Sequence, residues 1–300
     1  MNKPKRLLAI SWTAIGALFG ALPVSAAPIL GSDLASFAVL GATGVTNVPT
    51  STIGGNLGSA PNATVGGGYI FSSGSLQPNT ALAQAAQLDL DAAIGAVNSG
   101  AALPGNVIAA GDGNLDAFNG GVFAPGTYDV GAGTSNLVTA ITLDGGGSNT
   151  AVWRFRFSST FIMSEGSDVN LINVGDGAGV GIYWSVGSAA TLDGDTLVGN
   201  VFANQLISSN GGLTLGCGRL ASAESQVTLI KDTISIGCGD LGDTGYGSGG
   251  YDQGVNIGSG GTGGSGGQVV PEPGSLLLAG IALAGLFGAG KRKGQEGLVA

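Results

Sequence analysis

Residues 181–222 read GIYWSVGSAATLDGDTLVGNVFANQLISSNGGLTLGCGRLAS. Within them Trp184, Phe202 and Leu220 follow one another at intervals of 18, each inside a short apolar run, and Thr196 and Thr214 keep the same interval. Short β-forming runs recurring at a fixed spacing suggest the coils of a β-solenoid, in which every turn stacks on the last and pairs its backbone with it. Glycine-rich corners suit such a fold, because each coil turns sharply three times and glycine accepts the positive φ that corners can need. An antiparallel sandwich of hairpins would give similar segment lengths, so both mainly β architectures stay open at this point.

The same rhythm extends outward over residues 29–238. Ser36-Phe37-Ala38-Val39-Leu40 and Val152-Trp153-Arg154-Phe155-Arg156-Phe157 are two further runs, bounded like the rest by Gly, Asn, Asp or Ser. Alternation predicts interior packing for Phe155, Phe157, Tyr183 and Trp184, with a carbohydrate platform as the other use of such rings. Arg154 and Arg156 then face solvent or the chain's one helix. The one interruption is residues 80–97, dominated by Ala, Leu, Gln and Asp, with Leu82, Ala85, Ala86, Leu90, Ala93, Ile94 and Val97 close to helical spacing. Pro78-Asn79-Thr80 supplies the start and Gly100 the stop, which predicts one long helix over about residues 80–98 packed alongside the strands. Asp89 and Asp91 on this helix are candidate partners for Arg154 and Arg156.

Composition removes several chemistries. The chain of 300 residues has no His, which excludes imidazole catalysis and His-ligated zinc. Charged residues make up 10% and Gly numbers 59, yet 43% apolar content argues for a buried core. Acidic side chains number 19 against 10 basic ones, and between Ala27 and Val270 only Arg154, Arg156, Arg219 and Lys231 are basic. No basic face exists to neutralise phosphate, so no nucleic acid is expected as a partner. Cys217 and Cys238 are about one coil apart and are expected to form a disulfide in an exported chain, two free thiols being the alternative. No other Cys or His could complete a metal site with them, and no metal or cofactor is expected.

The two ends read as addresses. Lys3, Lys5 and Arg6 precede an apolar run that ends in Val24-Ser25-Ala26, the three-part pattern of a secretory signal peptide over residues 1–26. Residues 27–240 are then the folded domain. Residues 241–269 form a Gly-rich linker with nothing to bury, a calcium-binding Gly-Asp repeat being disfavoured by its irregular period. Val270-Pro271-Glu272-Pro273 opens the last segment, an uncharged run of 17 residues follows, and Lys291-Arg292-Lys293 closes it, leaving 294–300 as a cytoplasmic tail. Residues 270–293 resemble the PEP-CTERM sorting tail of Gram-negative bacteria, which implies an exosortase-type processing protease as a partner and a transient membrane segment. Both ends place the domain outside the cytoplasmic membrane, at the cell surface or secreted.

Within the body, ordered strings carry a second resemblance. Residues 36–47 (SFAVLGATGVTN), Ile53-Gly54-Gly55-Asn56-Leu57-Gly58, Phe123-Ala124-Pro125-Gly126-Thr127-Tyr128, Ile141-Thr142-Leu143-Asp144, residues 183–192 (YWSVGSAATL), Val198-Gly199-Asn200-Val201 and Val227-Thr228-Leu229 are similar to the bacterial and fungal ice-binding protein family. The resemblance covers about residues 34–234. It implies a right-handed β-solenoid of triangular cross-section with one helix along its length, no enzymatic activity, and an ice or water surface as the partner of one flat Thr-rich face. The family's pattern of Thr, Ala or Gly, any residue, then Thr or Asn matches Thr43-Gly44-Val45-Thr46 and Thr139-Ala140-Ile141-Thr142, and Ser188-Ala189-Ala190-Thr191 comes close. This makes Thr43, Thr46, Thr139, Thr142, Ser188 and Thr191 the expected ice-contacting residues. Side chains three apart point to opposite sides of an ideal strand, so one member of each pair must lie at a bend.

Residues 160–168 and the pair Asp193 and Asp195 are bulky or acidic where the family often carries small residues and Thr. They keep a second reading open, a cell-surface or biofilm-matrix structural or adhesive protein associated with exopolysaccharide. Asp176, Asp193 and Asp195 are the acids that a glycan-cleaving solenoid would need, against which stands the scarcity of basic residues.

Overall fold

The computed structural model describes residues 29–109, 113–132, 136–174 and 180–237. Every paired strand in it is parallel, and the strands run around three faces. Face A stacks Leu76–Pro78, Asn56–Ser59, Phe37–Gly41, residues 219–222, residues 200–203, Gly181–Val186, Val152–Phe157, Gly126–Val130 and Val107–Ile108. Face B stacks Phe161–Met163, Ala190–Leu192, Ile207–Ser209, Gln226–Leu229, Gly44–Asn47 and Val65–Gly66. Face C runs from Val122–Phe123 through Ala140–Asp144, Asp168–Ile172, residues 196–198, residues 214–216, Thr233–Ser235 and Ser51–Gly54 to Tyr69–Ser73. The architecture is a β-solenoid; a sandwich of antiparallel hairpins is excluded.

Coil order in space is not coil order in sequence. The first coils seat on the last: Val39 pairs with Leu220, Thr46 with Thr228 and Ile53 with Ile234. After Leu76–Pro78 the chain therefore stands at one end of the stack, and the long helix Ala81–Val97 carries it back toward the other, where Val107–Ile108 begins the remaining run. At 1.5 Å per residue those 17 helical residues span about 25 Å, roughly five coil spacings. Thr80 caps the helix by accepting a hydrogen bond from the Ala83 amide at 3.2 Å. Ala83, Ala86, Leu90, Ala93 and Val97 make its buried stripe, which packs with Phe37, Leu40, Tyr183, Phe202 and Ala221 of face A. Small alanines allow the helix to lie close to the sheet.

The helix is tied down at its middle and at its C-terminal end, though not through the ion pairs expected. The Asp89 carboxylate accepts from the backbone amides of Asp33 and Leu34 at 2.9 and 3.1 Å, holding the short helix Ser32–Ala35. Arg156 makes an ion pair with Asp129 and donates to the carbonyls of Asn98 and Gly100 at 3.1 and 2.6 Å, where a cation complements the C-terminal end of the helix dipole.

Inside the solenoid the aromatic rings stack from coil to coil. Phe155 and Trp184 lie 4.4 Å apart between centroids and 9° from parallel, and Phe161 and Trp184 lie 5.3 Å apart at 3°. Both buried indoles are satisfied, Trp153 donating to the Phe123 carbonyl and Trp184 to that of Val198. The 18-residue interval holds as an average only. Trp184 stacks on Val201 and then Leu220 inside, whereas Phe202 pairs with Ser185 and Ala221 and points at the helix. The local spacing is 17 from Trp184 to Val201 and 19 from Val201 to Leu220, the latter because an extra residue enters at Cys217-Gly218, beside Gly199. Gly199 has φ 94°, and a Cβ on Gly218 would stand 1.7 Å from the Gly199 carbonyl oxygen, so the insertion is possible only with glycine there.

Next to this insertion Arg219 is fully buried. Its guanidinium donates to the carbonyls of Phe37 and Ala35 at 3.1 Å each and to Asn200 Oδ1, and Asn200 donates in turn to the Ile182 carbonyl. One side chain thus ties the N-terminal segment to the C-terminal coils. Cys217 is buried and disulfide-bonded, while Cys238, its expected partner, lies outside the described residues, as do the segments 1–26, 241–269 and 270–300. Replacing Arg219 by Met strands three acceptors, at ~1 kcal/mol or more each. Urea denaturation of Arg219→Met is expected to show a loss of about 3 kcal/mol against wild type.

Candidate functional site

Face A is covered by the helix, so faces B and C are the surfaces open to a ligand. On each, alternation along the strand buries one residue and turns its neighbours outward. Face B buries Phe161, Ala190, Ile207, Val227 and Val45. The residue after each of these is half-exposed, and register aligns them as Ile162, Thr191, Ser208, Thr228 and Thr46, with Gly66 at the end. Four adjacent coils therefore carry a hydroxyl in one straight row, with coil spacings of about 4.8 Å set by backbone pairing. The Thr46 hydroxyl donates to that of Thr228 at 3.3 Å, so two of the four are oriented by each other. No charged side chain stands in the row.

The expected residues divide between faces and corners. Thr46 and Thr191 share the face B row, three coil steps apart, with Ser208 and Thr228 between them. Thr43 and Ser188 sit at the corner from A to B, where their amides donate to the carbonyls of Ser225 and Ser159. In both motifs it is the first residue that occupies the bend. Thr142 belongs to face C, and Thr139 lies in the bend that leads into it. Thr142 lies between Val122 and Asn170, and the Thr139 hydroxyl is committed to Asp116 Oδ2 at 2.9 Å. The six residues are not brought together as one surface.

Sequence reasoning left out Ser208 and Thr228 on face B. It also left out a second row on face C, where Thr196, Thr214, Thr233 and Thr52 follow in register on four adjacent coils. The interval of Thr196 and Thr214 was a signal for this row. Thr233 comes 19 residues on, and Thr52, from the other end of the chain, had no signal at all.

Between the two rows the corner from B to C is held by a buried polar chain across three coils. The Ser209 hydroxyl donates to Asp232 Oδ1 at 2.6 Å, the Asp232 amide to Ser51 Oγ at 2.9 Å, and Ser51 Oγ to Asn47 Oδ1 at 2.8 Å. Asp232 also accepts from the amides of Leu213 and Ile230. Fully satisfied networks of this kind fix local geometry, here the angle between the faces. Farther along that corner Asp193 and Asp195 join Glu165, Asn210 and Gly211 around a polar recess of about 280 Å³; Asp176 lies outside the described residues. Among the described residues no group of three His, Cys, Asp or Glu is placed to hold a metal ion.

A family model described as ice-binding-like matches residues 39–235, and one for the PEP-CTERM protein-sorting motif matches residues 269–293. An ice-binding protein of Nostoc sp. (strain HG1) is 30% identical over 211 residues, covering 68% of this chain and 72% of that protein. One from Flavobacterium frigoris (strain PS1) is 29% identical over 214 residues, 67% of this chain and 74% of that protein. Among solved structures, an ice binding protein from an Antarctic biological consortium superimposes with a TM-score of 0.60 at 27% identity, over 72% of this chain and 96% of that one. The ice-binding protein of the ascomycete Antarctomyces psychrotrophicus gives 0.59 at 27%, over 69% and 98%.

Burial is the largest influence on Asp232 and pushes its carboxyl above the usual carboxylate range, against the hydrogen bonds it accepts. A carboxyl raised in the folded state binds its proton more readily there than in the unfolded chain. Its contribution is therefore fully present below the ordinary carboxylate value and is lost as pH rises through the raised one. The stability of wild type relative to Asp232→Asn is expected to be greater at pH 4 than at pH 7 in paired urea titrations.

Proposed function

The chain belongs to the ice-binding-like family, and from that premise we propose that it is an extracellular ice-binding protein that adsorbs through face B and restrains ice growth and recrystallisation. The observation that carries this reading is the uncharged row Thr191, Ser208, Thr228 and Thr46, four hydroxyl-bearing coils in register. Thr presents a methyl and a hydroxyl together, so a rigid row of them orders the first water layer at a repeat fixed by the backbone. Water held in that way merges with the crystal lattice, and a molecule bound at the front stops its advance locally. No bond is made or broken in the process, and no cofactor takes part. Rigidity is essential, because a face that ordered only on contact would lose the conformational entropy at that moment. The stacked aromatic interior and the Ser209, Asp232, Ser51 and Asn47 chain support it.

Thr43 and Ser188, at the corner, border this face rather than form its centre. The leading residues 1–26 act as an export signal, residues 241–269 as a tether, and the sorting motif as the handle for an exosortase-type protease. Together they support export of the domain to the cell surface or beyond it. Asp168, Asp193, Asp195 and Lys231 on and around the other open face and its corner favour a second reading, an adhesive surface solenoid bound to exopolysaccharide.

Thr228→Tyr and Ser208→Tyr are expected to abolish crystal shaping and recrystallisation inhibition while leaving the circular dichroism spectrum unchanged. Thr43→Tyr should weaken them less. Unshaped crystals with folded wild type at high concentration would leave the adhesive reading in possession.

A further inference from the structure

The ladder on face C takes no part in the function proposed above. Thr196, Thr214, Thr233 and Thr52 stand on four adjacent coils, each half-exposed, each next to a buried Leu197, Leu215, Ile234 or Ile53 of the interior. It is all threonine, whereas the row on face B includes a serine. Its chemical state also differs. Thr46 and Thr228 on face B bond to each other, but among the described residues none of the four face C hydroxyls has a hydrogen-bond partner in the protein. Four donors and four pairs of acceptor sites therefore point into solvent at a fixed repeat.

The ground beside this row is low. Gly194 and Gly212 precede Thr196 and Thr214 by two residues on one side, and Gly216 and Gly54 follow Thr214 and Thr52 by two on the other. A Cβ on Gly54 would stand 2.6 Å from Ser235 Oγ, so the packing itself holds that position bare. Charges mark the limits of the surface, with exposed Asp195 at the corner immediately before Thr196. Asp168 stands in register with Thr196 and ends the row, and exposed Lys231 borders it beside Thr233 on a long stem that can swing aside. The polar chain of Ser209, Asp232, Ser51 and Asn47 fixes the corner that faces B and C share, so the two rows keep one orientation to each other.

We propose that face C is a second ice-contacting surface, through which one molecule binds crystal planes that face B does not reach. It rests on the ice-binding reading above, and takes the same ligand, crystalline water, at a different site. Its area of contact is four coils long, about 14 Å at the backbone repeat, equal to that of face B. Asp168 limits it, since a carboxylate keeps a hydration shell that the lattice does not accommodate.

The test is plane labelling on a single-crystal ice hemisphere grown in fluorescently tagged protein. It compares wild type, Thr228→Tyr on face B, Thr214→Tyr on face C, the double variant, and Asp168→Thr, each checked for folding by circular dichroism. Expected are label on the ice with Thr228→Tyr on only part of the planes that wild type covers, its loss when Thr214→Tyr is added, and stronger face C label with Asp168→Thr, whose row is five coils long. If Thr228→Tyr removes all label and Thr214→Tyr none, face C does not meet ice and the proposal is overturned while the function assigned to face B stands. No label with wild type overturns the ice reading and this one with it. Loss of all label in Thr214→Tyr alone would instead move the function from face B to face C.

Discussion

Parallel backbone pairing between successive coils is the constraint on which the rest of this molecule depends. Each strand satisfies its amides and carbonyls on the coils above and below, which sets a repeat of about 4.8 Å and leaves side chains only two directions, in or out. Every other feature is a consequence. Inward positions stack Phe155, Trp184 and Phe161 ring on ring, and outward positions on face A become the seat of the helix. On faces B and C they become straight rows of hydroxyls. A solenoid thus converts a one-dimensional sequence interval into a two-dimensional surface lattice, and a function based on matching a crystal needs that conversion more than it needs any individual residue.

Such a stack must be closed where the chain doubles back. Here the first coils seat on the last, so residues some 180 positions apart become nearest neighbours. The join is backed by Arg219, a buried cation reaching across to the carbonyls of Phe37 and Ala35, and by the Ser51 link in the corner network. It is no accident of packing that both rows of hydroxyls cross this join. Thr46 and Thr52, from the N-terminal coils, extend the rows supplied by Thr228 and Thr233. Without the seat each row would be one coil shorter, and its last member would be at an open edge.

The candidate site was partly legible in the sequence. Thr46 and Thr191, expected from a repeated motif, stand in one row on face B, but the motif's first positions, Thr43 and Ser188, fall at a corner because side chains three apart cannot share one face of a strand. Thr139 was misleading for another reason: its hydroxyl is engaged by Asp116, a contact between residues 23 apart that no local pattern encodes. Ser208 and Thr228 were not marked as contacts because neither lies in the four-residue motif, although Thr228 stands in the string Val227-Thr228-Leu229. They gain meaning only when register sets them between Thr191 and Thr46. The 18-residue interval also concealed two shifts, since a step of 17 from Trp184 to Val201 turns Phe202 toward the helix, and a step of 19 through the Cys217-Gly218 insertion returns Leu220 to the interior.

The sequence by itself determined the mainly β class, the position of the single long helix to within a residue or two, the burial of the aromatic runs and the scarcity of charge on the surface. These follow from local periodicity and composition, which act over a few residues and can be read wherever they occur. Only the tertiary structure decided which coil stacks on which, where the corners fall, and hence which hydroxyls stand in line. Those outcomes depend on pairing between distant strands, where a single inserted residue shifts the register of everything beyond it, and that cooperativity has no local signature.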